Sequence, residues 1–477
     1  MTSRSQPPQA PRPRRHDDVA KQAQPVQSSR PILLHAQDRR GHPTPFSREK
    51  ELNGLVHLAF QVPASRKGEV DAWIRTGSAR RRVDARTHVD LGDASAIEGE
   101  ASPRPMMAEA ISDTWGLRVG HARVLAELTR AMIPGGTPRA PLYRLTLYLL
   151  SGDHHDFAGL AARLARRFGL WLDSRPEHST AQAVDRAVQA DPTGAQAPSG
   201  LDRGTEPSVA LARMTAACMD QIVPNLAQIA AEAFSAEHVH QARVGLRRLR
   251  AMLRLFGSWS PHVDPKWEPA LAVLFQQLGE QRDRDVLMEA ILPPICAAGA
   301  PPIRLPAERD ARSPVEVAQD SGHVAVLISL TAFTWLFPSA SSGSTKGRAR
   351  DLRALASAEL RRLHAHIRRD AARFAEFGDE NRHRLRKRIK RLRYCVELAE
   401  PVLPGRQVAR FLTALRPAQD ALGKYTDLLL AESVLAAPAH DNPGASFALG
   451  WIAARRPILV ASTAKALKHL AAARPPW

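Results

Sequence analysis

Hydrophobic positions along this chain change period twice. Residues 1–47 show no apolar periodicity and are rich in Pro, Gln, Arg and Ser, the composition of a disordered basic tail. Residues 48–190 mix two periods: 55–62 alternate loosely as a strand does, 122–133 read as a second strand or a short helix, and 142–150 (LYRLTLYLL) read as a strand. A Ser151-Gly152-Asp153 turn follows, and residues 157–168 place their apolar side chains at helical spacing. Residues 191–206, with Pro, Gly, Ser and Asp, read as a linker. From 207 to 477 the period is helical almost throughout, with breaks near Ser235 and at 260–265, 297–314, 339–346, 378–379, 404–405 and 441–444. The expected fold class is mainly α: an all-helical domain over 207–477 behind a smaller α+β domain over 48–190.

Two of the helical segments carry the same pattern. In residues 237–257 (EHVHQARVGLRRLRAMLRLFG), a helical projection with His240 at zero puts Arg243, Arg247, Arg250 and Arg254 at about 300°, 340°, 280° and 320°. Val239, Leu246, Leu249, Leu253 and Phe256 fill the other side. In residues 381–400 (NRHRLRKRIKRLRYCVELAE), with His383 at zero, Arg386, Lys390 and Arg393 take the angles of Arg243, Arg247 and Arg250, and Leu385, Ile389, Leu392 and Val396 form the apolar side. Glu397 stands where the first segment has Arg254. Each segment is followed by Leu-Gly-x-x-x-Asp, at Leu278-Gly279 to Asp283 and Leu422-Gly423 to Asp427. The histidines are 143 residues apart (383 − 240) and the glycines 144 (423 − 279). Two features recurring at nearly one offset indicate an internal duplication, with the two basic stripes expected to face each other across a groove.

Charge gives those stripes a meaning. Lys and Arg number 67 against 48 Asp and Glu, a formal net charge of +19, which draws a polyanion: nucleic acid, an anionic membrane surface or a phosphate polymer. Like charges at i,i+4 repel, and the stripe of residues 237–257 contains no acid of its own. A solvated basic face competes with an anion site for the explanation. Guanidinium groups favour phosphate through forked, charge-assisted hydrogen bonds, and an imidazole at the head of each stripe adds a further donor. Aromatic residues are only 5 %, and base stacking has no partner in the stripes. Three scattered cysteines, Cys218, Cys296 and Cys395, fit neither a disulfide framework nor a zinc site and suit a reducing cytoplasm. The longest apolar stretch, 323–337, is shorter than the roughly 18–20 residues a bilayer span needs, so no membrane insertion is expected.

These residues resemble the CHAD family, named for its histidines in an α-helical domain. The resemblance covers about 208–477 and rests on both His/Arg segments, 278–286 (LGEQRDRDV), Leu392-Arg393-Tyr394, and the run from Trp451 through Lys465 and Lys468 to Trp477. It implies two pseudo-symmetric helical halves around a basic pore or groove that binds inorganic polyphosphate. The implied contacts are His240, Arg243, Arg247, Arg250, His383, Arg386, Lys390 and Arg393, with Arg254, Lys465 and Lys468 as weaker candidates. The first domain resembles a degenerate CYTH domain, the triphosphate-tunnel fold, through 60–63 (FQVP), 75–78 (RTGS) and the strand–turn–helix from 142 to 171. The acidic first-strand motif of that family falls on Leu55, His57 and Ala59, the late acidic strand on Arg144, Thr146 and Tyr148, and a later signature on Arg175, Glu177 and His178. Residues 82–105 look too short for central strands. Without those carboxylates no divalent metal is held, so neither a catalytic residue, a metal nor a cofactor is expected.

The remaining constellations carry less. Asp283 and Asp285 diverge on a helix and suit pairing with Arg282 and Arg284 better than a metal. His364 and His366 also diverge. Arg361, Arg362, Arg368, Arg369 and Arg373 form a further basic face, with Glu359 and Asp370 nearby. No nucleotide-binding glycine loop and no Ser/His/Asp or Cys/His nucleophile signature is present. The expectation is a non-enzymatic polyphosphate-binding protein of the cytoplasm, docked on polyphosphate granules. A CYTH-like triphosphatase or adenylate cyclase and a nonspecific nucleic-acid binder are the alternatives.

Overall fold

A computed structural model describes residues 55–77, 83–93, 105–132, 142–174, 190–279, 287–305, 312–337, 351–436 and 442–477. Residues 1–47, the Asp283/Asp285 pair and the Arg175, Glu177 and His178 set lie outside them.

The first domain is an antiparallel sheet with two helices. Its strands are β1 (His57–Val62), β2 (Val83–Asp93), β3 (Pro105–Val119), β4 (Ala122–Met132), β5 (Leu142–Ser151) and β6 (Trp171–Leu172), in the order β2-β3-β4-β5-β1-β6. Helix α1 (Lys67–Gly77) follows β1, and α2 (His154–Phe168) follows β5. The segment around 122–133 is therefore a strand. The stretch 82–105, read as too short for central strands, holds β2 and the start of β3. Polar alternation hid them: VDARTHVDLGD is a strand pattern with few apolar residues.

Alternation does fix the two faces of this sheet. Phe60, Leu145 and Leu147 point into a core shared with Phe157, Leu160 and Leu164 of α2. Asp153 caps that helix by accepting from the amides of His155 and Asp156, and Gly169 closes it in the left-handed region at φ 64°. On the opposite face His57 pairs with Tyr148, Ala59 with Thr146 and Gln61 with Arg144. Beside them β4 places Glu127 against Thr146 and Thr129 against Arg144.

The helical domain runs α3 (Pro207–Ala230), α4 (Ala236–Phe256), α5 (Trp267–Gln277), α6 (Leu292–Ala297), α7 (Pro314–Ala318), α8 (Ser321–Trp335), α9 (Leu352–Ala372), α10 (Asp379–Ala399), α11 (Gly405–Ala436) and α12 (Pro443–Ala472). Chain punctuation sets most boundaries: Ser235, Gly378 and Asn442 are N-caps, and Pro stands at the start of α3, α7 and α12. The duplication is visible in the elements. α4 and α10 are each 21 residues long, and each passes into a 3-10 turn, Gly257–Trp259 and Glu400–Val402, again 143 residues apart (400 − 257). α3 stands beside α4 as α9 stands beside α10.

Two regions behave differently from their sequence reading. Residues 190–206 are not a free spacer. The Asn225 side chain donates to the Thr193 carbonyl at 2.9 Å and accepts from its amide at 3.2 Å, Arg248 donates to the Gln196 carbonyl at 2.9 Å, and His238 Nε2 lies 2.9 Å from the Ala190 carbonyl. The apolar stretch at 323–337 is mostly α8, which is buried on several sides because it joins the domains. It lies against α3 and α5 on one side and α2 on the other, with the Trp335 ring 5.8 Å from Phe157 and 6.2 Å from His154. One continuous core therefore runs through both domains. Among the described residues no helix is long and apolar enough to cross a membrane.

Candidate functional site

α4 and α10 pack against each other through their apolar sides, where Leu246, Leu249, Leu385, Ile389 and Leu392 are fully buried. The Cys395 thiol donates to the Ala251 carbonyl at 3.5 Å across the contact. Burial pushes the Cys218 thiol up to about 12 and Cys395 also upward, so both serve as small apolar side chains. The basic stripes then border one cleft of about 670 Å³. From α4 come Arg243, Arg247, Arg250 and Arg254; from α10 come His383, Arg386, Lys387, Lys390 and Arg391. Phe275, Gln276 and Gly279 contribute from the α5 end, and Thr426, Asp427 and Leu430 from α11.

The structure thus gathers Arg243, Arg247, Arg250, Arg254, His383, Arg386 and Lys390. It does not bring His240, Arg393, Lys465 or Lys468 into the cleft lining. His240 is half-buried on α4, and Lys465 and Lys468 are exposed on α12. Arg393 turns to α11, donating to Glu397 at 2.7 Å and to Gln419 at 3.2 Å. The reason is rotational. On α10 the core residues centre near 210°, so the cleft takes the opposite side, near 20°, and reaches Lys387 at about 40° and Arg391 at about 80°; Arg393, near 280°, falls on the flank. On α4 the cleft takes that flank instead, near 315°. The duplicated helices are equivalent in sequence but not in the side they present. Lys387 and Arg391 went unrecognised because the stripe on α10 was drawn at the angles of the one on α4.

Among the described residues the acids around the cleft, Glu268 and Asp427, are supplied by other helices. Glu268, in the first turn of α5, accepts from Arg250 Nε at 2.9 Å and lies 2.7 Å from Arg254 Nη2. Asp427 lines the cleft at the other end and draws on Lys390 electrostatically. Among the described residues Arg247 has no ion pair, and its buried Nε makes no hydrogen bond. An aromatic ring substitutes: the guanidiniums of Arg243, Arg247 and Arg250 lie 4.7, 5.3 and 5.6 Å from the Phe275 centroid. Each such contact is worth about 0.5–2 kcal/mol depending on desolvation, too little to cancel the mutual repulsion of the cations around it.

The unneutralised charge shows in the titrating groups. Desolvation first, then Arg247 and Arg386, push the Lys390 ammonium down to about 6, with Asp427 pulling weakly the other way. His383 is lowered by burial and by Lys387, Arg386 and Lys390. Arg391 and Arg250 are also lowered, burial first. Among the described residues the cleft is thus lined by a cluster of cations and one carboxylate, Asp427.

Not every arginine of these helices belongs to it. Arg248, 2 % exposed, donates to Gln221 Oε1 at 2.9 Å and ties α4 to α3 and to residue 196. Arg382, Tyr425, Asp379, Arg456 and Glu432 form a network joining α10, α11 and α12 away from the cleft. The basic face of α9 is partly answered by acids: Arg362 pairs with Glu359, and Asp370 takes Arg388 of α10.

In the first domain, the positions matched to acidic motifs do share one sheet face, but they carry His57, Ala59, Arg144, Thr146 and Tyr148. Sequence reasoning missed two carboxylates there: Glu127, 5 % exposed and 3.3 Å from the Tyr148 hydroxyl, and Asp173, whose amide extends β6 by donating to Ala59. Among the described residues no three potential metal ligands cluster, and these donors do not fit the metal site that the CYTH resemblance implies.

Comparison with known proteins finds a family model and solved structures that this chain resembles. The CHAD domain family model matches residues 213–436. The crystal structure of the CHAD domain from the plant Ricinus communis matches with 26 % sequence identity and a TM-score of 0.47, covering 60 % of this chain and 99 % of that one. No curated protein matches.

Proposed function

With residues 213–436 forming a CHAD domain, we propose that the cleft between α4 and α10 binds inorganic polyphosphate and holds it without cleaving it. One observation carries this reading: cations from two helices converge on a single cleft in which Asp427 is the one acid among the lining residues. A chain of identical phosphates needs a row of fixed donors and no base-reading groups. Arginines remain charged at every biological pH and offer bidentate donors, while Lys387 and Lys390 add point charge. Bound phosphates add counter-charge to this cluster of cations.

Nucleic acid offers the same backbone charge and is the competing ligand. The lining aromatics do not favour it. The Phe275 ring is taken up by guanidiniums, and Tyr394 is 6 % exposed, which leaves no open ring for base stacking. On the preferred reading the protein docks on polyphosphate deposits.

The test is binding of long-chain polyphosphate to the full chain and to a variant carrying Arg247→Glu and Arg386→Glu, with circular dichroism as the fold control. Binding by the parent and its loss in the folded variant is the expected result. Equal affinity of the two overturns the reading, and so does displacement of polyphosphate by DNA or RNA at equal phosphate concentration.

A further inference from the structure

Helix α12 hides one side and leaves the other bare. With Phe447 at zero, the buried Ala445, Ala448, Ile452, Leu467 and Leu470 centre near 150°. On the opposite side, between about 320° and 40°, stand Phe447, Trp451, Ala454, Ile458, Ala461 and Lys465. Their spacing alternates between four and three residues, which keeps them on one narrow seam over about 27 Å. Ile458 is 66 % exposed, the most of any large apolar side chain among the described residues, and Phe447 is 38 % exposed. Trp451 is half-buried, with the Arg455 guanidinium 4.0 Å from its ring. The helix runs unbroken through Pro457, which lies to one side of the seam.

The seam complements its own reverse. Turned end for end about residue 456, it sets Phe447 against Lys465, Trp451 against Ala461 and Ala454 against Ile458. Two of these pairs match large with small, and the third matches an ammonium with an aromatic ring, which attracts it electrostatically. We propose that this seam is a self-association surface, on which a second copy of the chain lays its α12 antiparallel about a twofold axis near residue 456. The alanines let the two axes come close, and the larger side chains fill the space they leave. A parallel pairing would instead stack Ile458 on the partner's Ile458, Ala454 on the partner's Ala454 and Lys465 on the partner's Lys465. A face about 27 Å long and 10 Å wide falls short of the roughly 800 Å² per partner of a stable complex, so the pair is weak and forms as concentration rises. α12 contains no Asp or Glu, and Arg455 and Lys468 flank the seam. Self-repulsion therefore opposes the pair, and salt strengthens it, the reverse of polyphosphate binding.

Sedimentation velocity of the full chain over a wide concentration range tests this, with circular dichroism as the fold control. A dimer that grows with protein and salt concentration is expected. Ile458→Ala leaves alanine facing alanine and is expected to weaken the dimer about tenfold or more, because symmetry applies the loss twice. The double variant Ala454→Ile with Ile458→Ala restores the match of large with small and is expected to dimerise within about threefold of the parent. A double variant as weak as Ile458→Ala, or an Ile458→Ala chain that dimerises like the parent, overturns the inference. So does a chain that stays monomeric throughout; co-sedimentation with phosphatidylglycerol vesicles, lost in Ile458→Ala, would then assign the seam to a lipid surface.

Discussion

Gly279 and Arg243 occupy one space. A Cβ on Gly279 would collide with the Arg243 guanidinium, whose Cζ and Nη2 stand 2.8 and 2.9 Å from that point. At its counterpart in the duplicated half, Gly423 inside α11, a Cβ would meet nothing within 4 Å. Gly279→Ala therefore pushes a cleft arginine out of place, and a flexible side-chain end yields without great strain. Polyphosphate affinity is expected to fall about tenfold, the worth of one charge-assisted contact, with stability changed by less than about 1 kcal/mol. Gly423→Ala is expected to leave binding alone and stabilise the helix by about 0.5–1 kcal/mol. Titrations and thermal melts of both variants check the pair.

Lys390 makes binding draw in protons. Its ammonium, pushed down to about 6 in the empty cleft, regains charge when phosphates offset the repulsion from Arg247 and Arg386. The bound-state value lies above the free-state value, so affinity strengthens as pH falls toward about 6 and weakens as pH rises through the bound-state value. Calorimetry at pH 7.5 in two buffers of different ionisation enthalpy is expected to show net proton uptake, which Lys390→Met reduces. Without ligand the sign reverses: the unfolded chain holds this proton more tightly, so stability declines as pH falls from the ordinary lysine range toward about 6.

Arg248 separates structural from ligand-facing arginines. Its replacement by Leu strands Gln221 Oε1 and the Gln196 carbonyl, at a cost of about 1–3 kcal/mol for each buried group left without a donor. A clearly lowered melting temperature with unchanged polyphosphate affinity at 20 °C is the expected outcome.

Trp335→Ala tests the junction of the two domains. The half-buried indole meets Phe157 and His154, and its loss is expected to cost about 2 kcal/mol from apolar area alone. Calorimetry is expected to resolve one unfolding transition into two.

The helical half was largely legible because its signal is periodic and long: the caps at Ser235 and Gly378, the core faces of α4 and α10, and the repeat at 143 all follow from residue spacing. Seven of the eleven proposed ligand residues come together in the cleft. His240, Arg393, Lys465 and Lys468 lie outside the cleft lining for a common reason: spacing gives an angle about one helix axis and says nothing of how that helix is turned against its neighbours. Phe275 and Glu268 were missed because their roles exist only across helices. In the sheet, β2 escaped notice because a strand with little apolar alternation lacks the one signal its length allows.

The helix α8 has a consequence for anyone who dissects the gene. Cutting the chain at 207 to isolate the all-helical part would expose to water the flank of α8 that α2 normally covers, Trp335 included. Such a fragment is expected to be sticky, self-associating or poorly expressed, and the sheet then serves as a folding escort whatever else it does.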